Sequence, residues 1–274
     1  MDFMINCVKK KINKITFYWQ IITHILEMKR ILKKCVSDEY TNSDTNVCLL
    51  LSAGKSTRFK NQLQYLTSKQ TYTYMDKPII LYSLEALIEI ETMTHIVVIT
   101  NTECFDEIDN IINEMVNNLS QKNMGKKCEI VLIVNDIDCR LKTIETGLEY
   151  IKNNIKDEII NNVVIHDCAR PFVPVEYFKT ILSNNEFYSQ YSLNLTNGLA
   201  DSDLNIYDRN NFFELCSPIC IKYDLCKFVF ENFIYSSNLF VYEPISILKV
   251  YGVKINIIYG KYKFLKKITY FDDL

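Results

Sequence analysis

The sequence predicts an α/β fold, a mostly parallel mixed sheet with helices on both faces. Short β-branched or apolar runs alternate with segments of helical periodicity from Val47 onward, and the first run, Val47 to Leu51, stops abruptly at Ser52-Ala53-Gly54. Strands joined in sequence by helices need right-handed crossovers, which give a sheet buried on both faces.

The chain has 274 residues and is 48% hydrophobic, enough to bury a substantial core. Lys+Arg 31 against Asp+Glu 33 leaves a formal net charge of -2, so nucleic acid is not an expected partner and any basic site must be local. The cysteines are scattered without a Cys-x-x-Cys pair and read as reduced, mostly buried thiols. Cys216, Cys220 and Cys226 lie close together, but without zinc-ligand spacing, and no structural metal is expected.

Residues 1–46 are expected to be an appendage. Lys9-Lys10-Lys11, an apolar stretch from Ile15 to Leu26 and Lys29-Arg30 have the outline of a signal anchor, a presequence or an interfacial helix. The apolar stretch is too short to span a bilayer, contains Gln20 and His24, and precedes no small-residue cleavage site. It is read as an amphipathic helix packed on the domain or on a partner, with membrane contact not expected and a cytoplasmic location. A polar linker, Ser37 to Asn46, leads into a domain spanning 47–274.

Within that domain, Pro78 opens a helix with Ile79, Leu81, Leu84, Leu87 and Ile88 as core candidates. Ile96 to Ile99 is a strand, and Thr102 is placed to cap a helix in which Phe105, Ile108, Ile112, Met115 and Leu119 recur at helical spacing. Glu129 to Val134 is a strand, Thr143 to Ile155 a helix, Val163 to Ile165 a strand, and Pro174 to about Leu182 a helix. The alternation then loosens. Tyr191 to Leu195 reads as an edge-like strand, Asn197 to Asp203 as a polar segment and Leu204 to Tyr207 as a short strand, together a projecting β-arm at 195–215. Tyr223 to Ile234 and Glu243 to Val250 are expected helices, and Lys254 to Tyr259 a final strand.

The stretch after the first strand carries Lys55, Arg58, Lys60 and Lys69 without a periodic apolar pattern. Small residues let a backbone approach phosphate closely, and exposed N–H groups with nearby cations form an anion site. Gly54-Lys55-Ser56 resembles the end of a Walker A loop, but the glycine that motif needs five residues before its last one is Leu49 here. Two readings remain, a nucleotide loop ending at Lys69-Gln70 and a strand followed by a solvated basic loop. Further on, Val163 to Ile165 leads into His166-Asp167-Cys168-Ala169-Arg170-Pro171. Ligands of open α/β sheets collect at the carboxyl ends of strands, where a carboxylate suits Mg²⁺. The alternative is Asp167 as a turn residue paired with Arg170.

With these strings in view, the chain from Val47 to Leu274 resembles the 2-C-methyl-D-erythritol 4-phosphate and ribitol 5-phosphate cytidylyltransferases. Ser52-Ala53-Gly54-Lys55-Ser56-Thr57-Arg58 and Ser68-Lys69-Gln70 stand where that family has Ala-Ala-Gly-x-Gly-x-Arg and Pro-Lys-Gln. Arg140, Thr143 and Gly147-Leu148 match a second motif, and His166 to Phe172 fits His-Asp-x-Ala-Arg-Pro-Phe throughout. Arg209, Ser217-Pro218, Lys267-Ile268-Thr269 and Asp273-Leu274 complete the order.

The resemblance implies a Rossmann-like nucleotidyltransferase fold and transfer of CMP from CTP to a polyol phosphate, with Mg²⁺ bound by Asp167 and pyrophosphate released. It implies that Arg58, Lys69 and Lys267 stabilise the transition state and that Ala53, Gly54, Arg140 and Thr143 hold the nucleotide. Arg170, Arg209 and Ser217 would bind the acceptor, Arg209 across a homodimer through the arm. An alcohol-phosphate oxygen attacking the α-phosphorus needs positioned positive charge rather than a protein nucleophile. The sequence also departs from the family: Ser56 replaces the second loop glycine, the span from Arg58 to Lys69 is longer, Asp136-Ile137 replace a Gly-Gly pair, Tyr242-Glu243-Pro244 replace Thr-Asp-Glu, and Leu265 falls near the place of the asparagine in the family's terminal Asn-x-Lys-x-Thr string. Another NTP, a sugar phosphate acceptor, or a degenerate homologue that binds without turnover are the alternatives. Retention of Arg58, Lys69, Asp167 and Lys267 together argues against decay.

Overall fold

The computed structural model describes residues 26–27, 30–31, 45–63, 68–121, 128–156, 160–184, 186–232, 243–250 and 252–274. The amphipathic helix expected within 1–46, apart from 26–27 and 30–31, and the expected helix end at Ile234 lie outside the described residues.

Alternate residues of the central strands are buried on opposite sides, and this makes the sheet two-faced. In chain order the strands are β1 (Asn46–Leu51), β2 (Thr73–Tyr74), β3 (Lys77–Pro78), β4 (Met93–Thr100), β5 (Glu129–Val134), β6 (Asn162–Asp167), β7 (Tyr188–Asn194), β8 (Leu199–Ala200), β9 (Ile206–Tyr207), β10 (Phe213–Lys222) and β11 (Asn256–Tyr259). The helices are α1 (Thr57–Leu63), α2 (Ile79–Ile88), α3 (Phe105–Gln121), α4 (Arg140–Asn154), α5 (Val175–Leu182), α6 (Tyr223–Asn232), α7 (Pro244–Val250) and α8 (Tyr262–Leu265). Cys48, Leu50, Ile96, Val98 and Val164 face a core formed with α2, α3 and α5. Val47, Leu49, Val97, Ile99, Val163 and Ile165 face a second core formed with α4, α6 and α7. Strands so enclosed become continuous apolar runs, which is why β1 and β4 were legible without an alternating pattern.

One seven-stranded sheet has the order β11-β7-β10-β6-β1-β4-β5. The β6, β1, β4 and β5 neighbours are parallel, β10 is antiparallel to both β6 and β7, and β11 is parallel to β7. The expected mostly parallel mixed sheet is therefore present, and β8 and β9 form a separate antiparallel hairpin within the expected arm.

Several expectations change. The strand β10 was not anticipated, because Ser217-Pro218 interrupts it and a proline cannot donate to a ladder. The β7–β10 register shifts between Cys216 and Ile219, so the proline lies at an irregularity and the strand continues past it. Pairing with β10 and β11 on its two sides makes β7 an internal strand, beginning at Tyr188, rather than the edge-like strand expected from Tyr191. Leu204 adopts a positive φ of 63° and lies outside β9, which shortens the second arm strand to Ile206–Tyr207. Asn101, not Thr102, caps the turn leading into α3, its side chain accepting from the Cys104 N–H. Thr102 instead donates through its backbone N–H and its hydroxyl to Asp136, at 2.8 and 2.6 Å.

The close approach of α4 to β1 rests on Gly147, where a Cβ would lie 2.8 Å from Leu49 Cδ2. Leu49 is fully buried, and Gly147 has no side chain that could move into space left beside it. Leu49→Ala is therefore expected to cost about 3–5 kcal/mol, the upper part of the range for buried leucines. Urea unfolding would check this, and a loss below about 1.5 kcal/mol, the size of a volume-conserving swap, would mean the interface collapses onto the gap.

Candidate active site

The carboxyl ends of β1 and β6 and the start of α4 meet around an open cavity of about 410 Å³. Its lining includes Ala53, Gly54, Arg58, Lys69, Arg140, Thr143, Asp167 and Lys267, so eight of the sequence-predicted site residues come together. Such a position, at strand carboxyl ends beside a helix start, is where open α/β sheets place ligands.

The loop after β1 is held from behind. Gln70 is buried, and its side-chain amide donates to the Ser52 carbonyl at 2.6 Å and the Gly54 carbonyl at 2.7 Å. With those carbonyls turned toward Gln70, two points of the loop are tied to one buried side chain. A Cβ at Gly54 would meet nothing within 4 Å, so this glycine borders open space where a ligand has room to approach the backbone.

Lys69 donates through Nζ to the Ile268 carbonyl at 2.8 Å, tying the turn before β2 to the C-terminal tail. Burial is the main cause that pushes its ammonium down to about 8, with Cys168 opposing and Lys267 adding to the shift. The tail itself is anchored by the Ile268 N–H on the Ala169 carbonyl at 2.8 Å and by Asp273, which accepts from the Thr269 and Tyr270 N–H groups at 2.7 and 2.8 Å. These bonds bring Lys267 to the cavity from a point distant in sequence.

Asp167 ends β6 with little of its side chain exposed. Arg140 donates to its Oδ1 through Nε at 3.3 Å and Nη2 at 3.1 Å, Lys267 Nζ lies 3.6 Å from Oδ2, and the Asp167 N–H donates to Ser217 Oγ at 3.0 Å. Burial alone would raise this carboxyl, but the Arg140, Lys267 and Arg170 charges overcome it and hold it well below the usual carboxylate range. Arg140 also donates to Glu243 at 2.8 Å, and burial pushes the Glu243 carboxyl up. Thr143 accepts from the Asn135 amide at 2.9 Å and donates to the Cys139 carbonyl at 3.1 Å, which places its hydroxyl on the inner wall.

Three predicted residues stand apart from the cavity lining. Arg170 is buried behind it, donating to the Leu265 carbonyl and to Glu214 at 3.2 Å. Its backbone N–H donates to the Asp167 carbonyl at 2.9 Å, so a turn joins the two residues while the side-chain partner of Asp167 is Arg140 rather than Arg170. Ser217 lies beneath Asp167 and within 3.3 Å of His166 Nδ1. Arg209 is exposed in the arm and donates to the Thr196 carbonyl of the same arm.

Sequence reasoning did not single out Gln70 as a site residue, although the Lys-Gln pair was its signal. It also missed Asn135, a lone asparagine at a strand end with no pattern to mark it. Ile137 lines the cavity and Asp136 is drawn to Thr102, so the segment that replaces Gly-Gly is held by a side-chain clamp. Six of the eight described cysteines are buried, Cys128 is partly exposed and Cys139 exposed, all with free thiols.

A sheet of this topology with a backbone loop, cations and an ionised carboxylate at its strand ends defines a Rossmann-like nucleotidyltransferase. The chain belongs to the IspD family, 2-C-methyl-D-erythritol 4-phosphate cytidylyltransferase, a family of enzymes whose model matches residues 47–274. It is 26% identical over 235 residues to the 2-C-methyl-D-erythritol 4-phosphate cytidylyltransferase of Thermotoga neapolitana, covering 84% of this chain and 93% of the relative. The enzyme of that name from Lachnoclostridium phytofermentans is 25% identical over 237 residues, covering 82% and 91%. In fold, the chain is similar to the crystal structure of 4-diphosphocytidyl-2C-methyl-D-erythritol synthase from Anaerococcus prevotii, with a TM-score of 0.64 at 15% identity over 84% of this chain and 94% of that one.

The lowered Lys69 value has a consequence for binding. A protonated ammonium below about pH 8 attracts phosphate, and the neutral amine above it does not. Affinity for a nucleoside triphosphate is expected to weaken about tenfold between pH of about 7 and about 9.5, the worth of one charged hydrogen bond. Calorimetric titration across that range checks it, and Lys69→Met should bind weakly with little pH dependence. An unchanged affinity in the unaltered protein would show that Lys69 does not contact phosphate.

Proposed function

We propose that the protein transfers CMP from CTP to 2-C-methyl-D-erythritol 4-phosphate and releases pyrophosphate. The observation that carries this reading is the convergence of Lys69, Arg140 and Lys267 on one cavity around the ionised Asp167, opposite the loop at Gly54. A phosphate oxygen of the acceptor attacks the α-phosphorus, the bond from that phosphorus to the bridging oxygen breaks, and pyrophosphate leaves with the electron pair. Arg58, Lys69 and Lys267 stabilise the charge that builds on the phosphoryl oxygens and the leaving group. Ala53, Gly54, Arg140 and Thr143 hold the nucleotide. No protein nucleophile is needed, because oriented positive charge and positioning supply the catalysis.

Among the described residues no group of three or more His, Cys, Asp or Glu side chains is placed to hold a metal ion. A single carboxylate suits Mg²⁺, which characteristically takes one or two carboxylates and completes its shell with substrate phosphate and water. Asp167, ionised and at the cavity wall, is the carboxylate that would hold it. When bound, Mg²⁺ would neutralise triphosphate charge and polarise the α-phosphate.

For the acceptor, Arg170 and Ser217 support the site from behind, and Arg209 is assigned to a neighbouring copy's site in a homodimer. Leu204 and Ile206 are about 80% exposed on the arm, apolar surface that a second copy would cover. Among the described residues no helix is long and apolar enough to cross a membrane.

Pyrophosphate release, measured over CTP, UTP, ATP and GTP against methylerythritol, ribitol and sugar phosphates, tests the reading. Turnover is expected with CTP and methylerythritol phosphate, and Lys69→Met should lower it by about 100-fold or more, the scale of losing one preorganised electrostatic contact. Turnover with a different nucleotide or acceptor would reassign the substrate, and nucleotide binding without turnover of any pair would make the chain a binding protein.

A further inference from the structure

Ser56 occupies a left-handed backbone conformation, with φ of 56°, in the middle of the loop that borders the cavity. A residue with a Cβ is disfavoured there and glycine is not, which accords with the glycine that the family pattern has at this point. The serine therefore needs something to hold it in place. Its hydroxyl lies 2.8 Å from Gln70 Oε1, to which it donates, with the Gly54 carbonyl at 3.4 Å as a longer alternative. The same oxygen accepts from the Lys69 backbone N–H at 3.3 Å.

These contacts close a ring. Gln70 holds the Ser52 and Gly54 carbonyls with its amide nitrogen and Ser56 with its amide oxygen, so one buried side chain spans the loop from end to end. Ser56 in turn reaches the backbone of Lys69, itself a residue of the cavity lining. A glycine at position 56 would give the turn but neither side-chain bond.

We infer that Ser56 is a positioning residue: its hydroxyl latches the nucleotide loop onto the Lys69-Gln70 turn, a role the glycine it replaces cannot fill. The latch fixes the distance between the Gly54 backbone and the Lys69 ammonium before ligand arrives, so its effect falls on nucleotide affinity rather than on acceptor affinity. This rests on the reading of the cavity as a nucleotide site.

The test uses the full chain, with CTP and Mg²⁺ as the probe, and compares Ser56→Ala with Ser56→Gly. Ser56→Ala keeps the disfavoured conformation without the bonds that hold it, and its dissociation constant for CTP is expected to rise about tenfold. Ser56→Gly loses the bonds but relieves the strain, and a rise of about threefold is expected. In steady state the KM for CTP should follow these changes while the KM for the acceptor phosphate stays put. A purely structural serine would lower the melting temperature without altering CTP affinity in whatever remains folded, and the glycine variant, which introduces no strain, gives that comparison even if the alanine variant folds poorly. Equal CTP binding, within twofold, by the unaltered protein and by Ser56→Gly and Ser56→Ala would overturn the inference and leave the proposed function standing. An unaltered protein that binds no CTP would overturn both.

Discussion

A single buried carboxylate ties the site together. Asp167 ends the strand at the centre of the sheet, and three parts of the chain converge on it: Arg140 from the start of α4, Lys267 from the C-terminal tail and Ser217 from β10. A carboxylate removed from water is costly unless it is paired and hydrogen-bonded. Here the pairing is abundant enough that burial fails to raise the carboxyl, and the negative charge persists. That charge in turn lets Arg140 and Lys267 sit close together beside one cavity, where they would otherwise repel. In the proposed reaction the cations of the wall are thus in place before a triphosphate arrives, and little reorganisation is left for the chemical step.

The loop on the opposite wall is organised by neutral hydrogen bonds instead. Gln70 replaces water for the Ser52 and Gly54 carbonyls, and its burial makes those bonds hard to exchange. The two walls are joined through Lys69, which bonds to the tail carbonyl of Ile268 one residue beyond Lys267. Loop, tail and central strand therefore form one connected structure, and a displacement of the tail would be felt at the loop.

Much of this was legible in the sequence, for identifiable reasons. Strands β1 and β4 are buried on both faces, so their composition alone marked them. The site strings lie directly after β1 and across the end of β6, where an abrupt change from apolar to small or charged residues signals a strand end. The strand β10 was not legible because Pro218 breaks its ladder, and its existence depends on tertiary pairing with β6 and β7. Arg140 was not foreseen as the partner of Asp167; the alternative weighed was Arg170, three positions away within one motif, because sequence proximity cannot foresee that Arg140 arrives from another helix. Asn101 displaced Thr102 as a cap for a similar reason: Asp136, from the next strand's loop, captures the threonine hydroxyl.

The most direct measurement is the titration of the Asp167 carboxyl itself, followed by carbon NMR from neutral pH downward. If the Arg140 and Lys267 pairing outweighs burial, the resonance shows no midpoint down to pH of about 3.5, below the ordinary aspartate value of about 3.9. If burial wins, the midpoint moves above about 4. That second result would mean that Asp167 is neutral in part of the working range, and the account of a fixed negative anchor for the site's cations would be wrong.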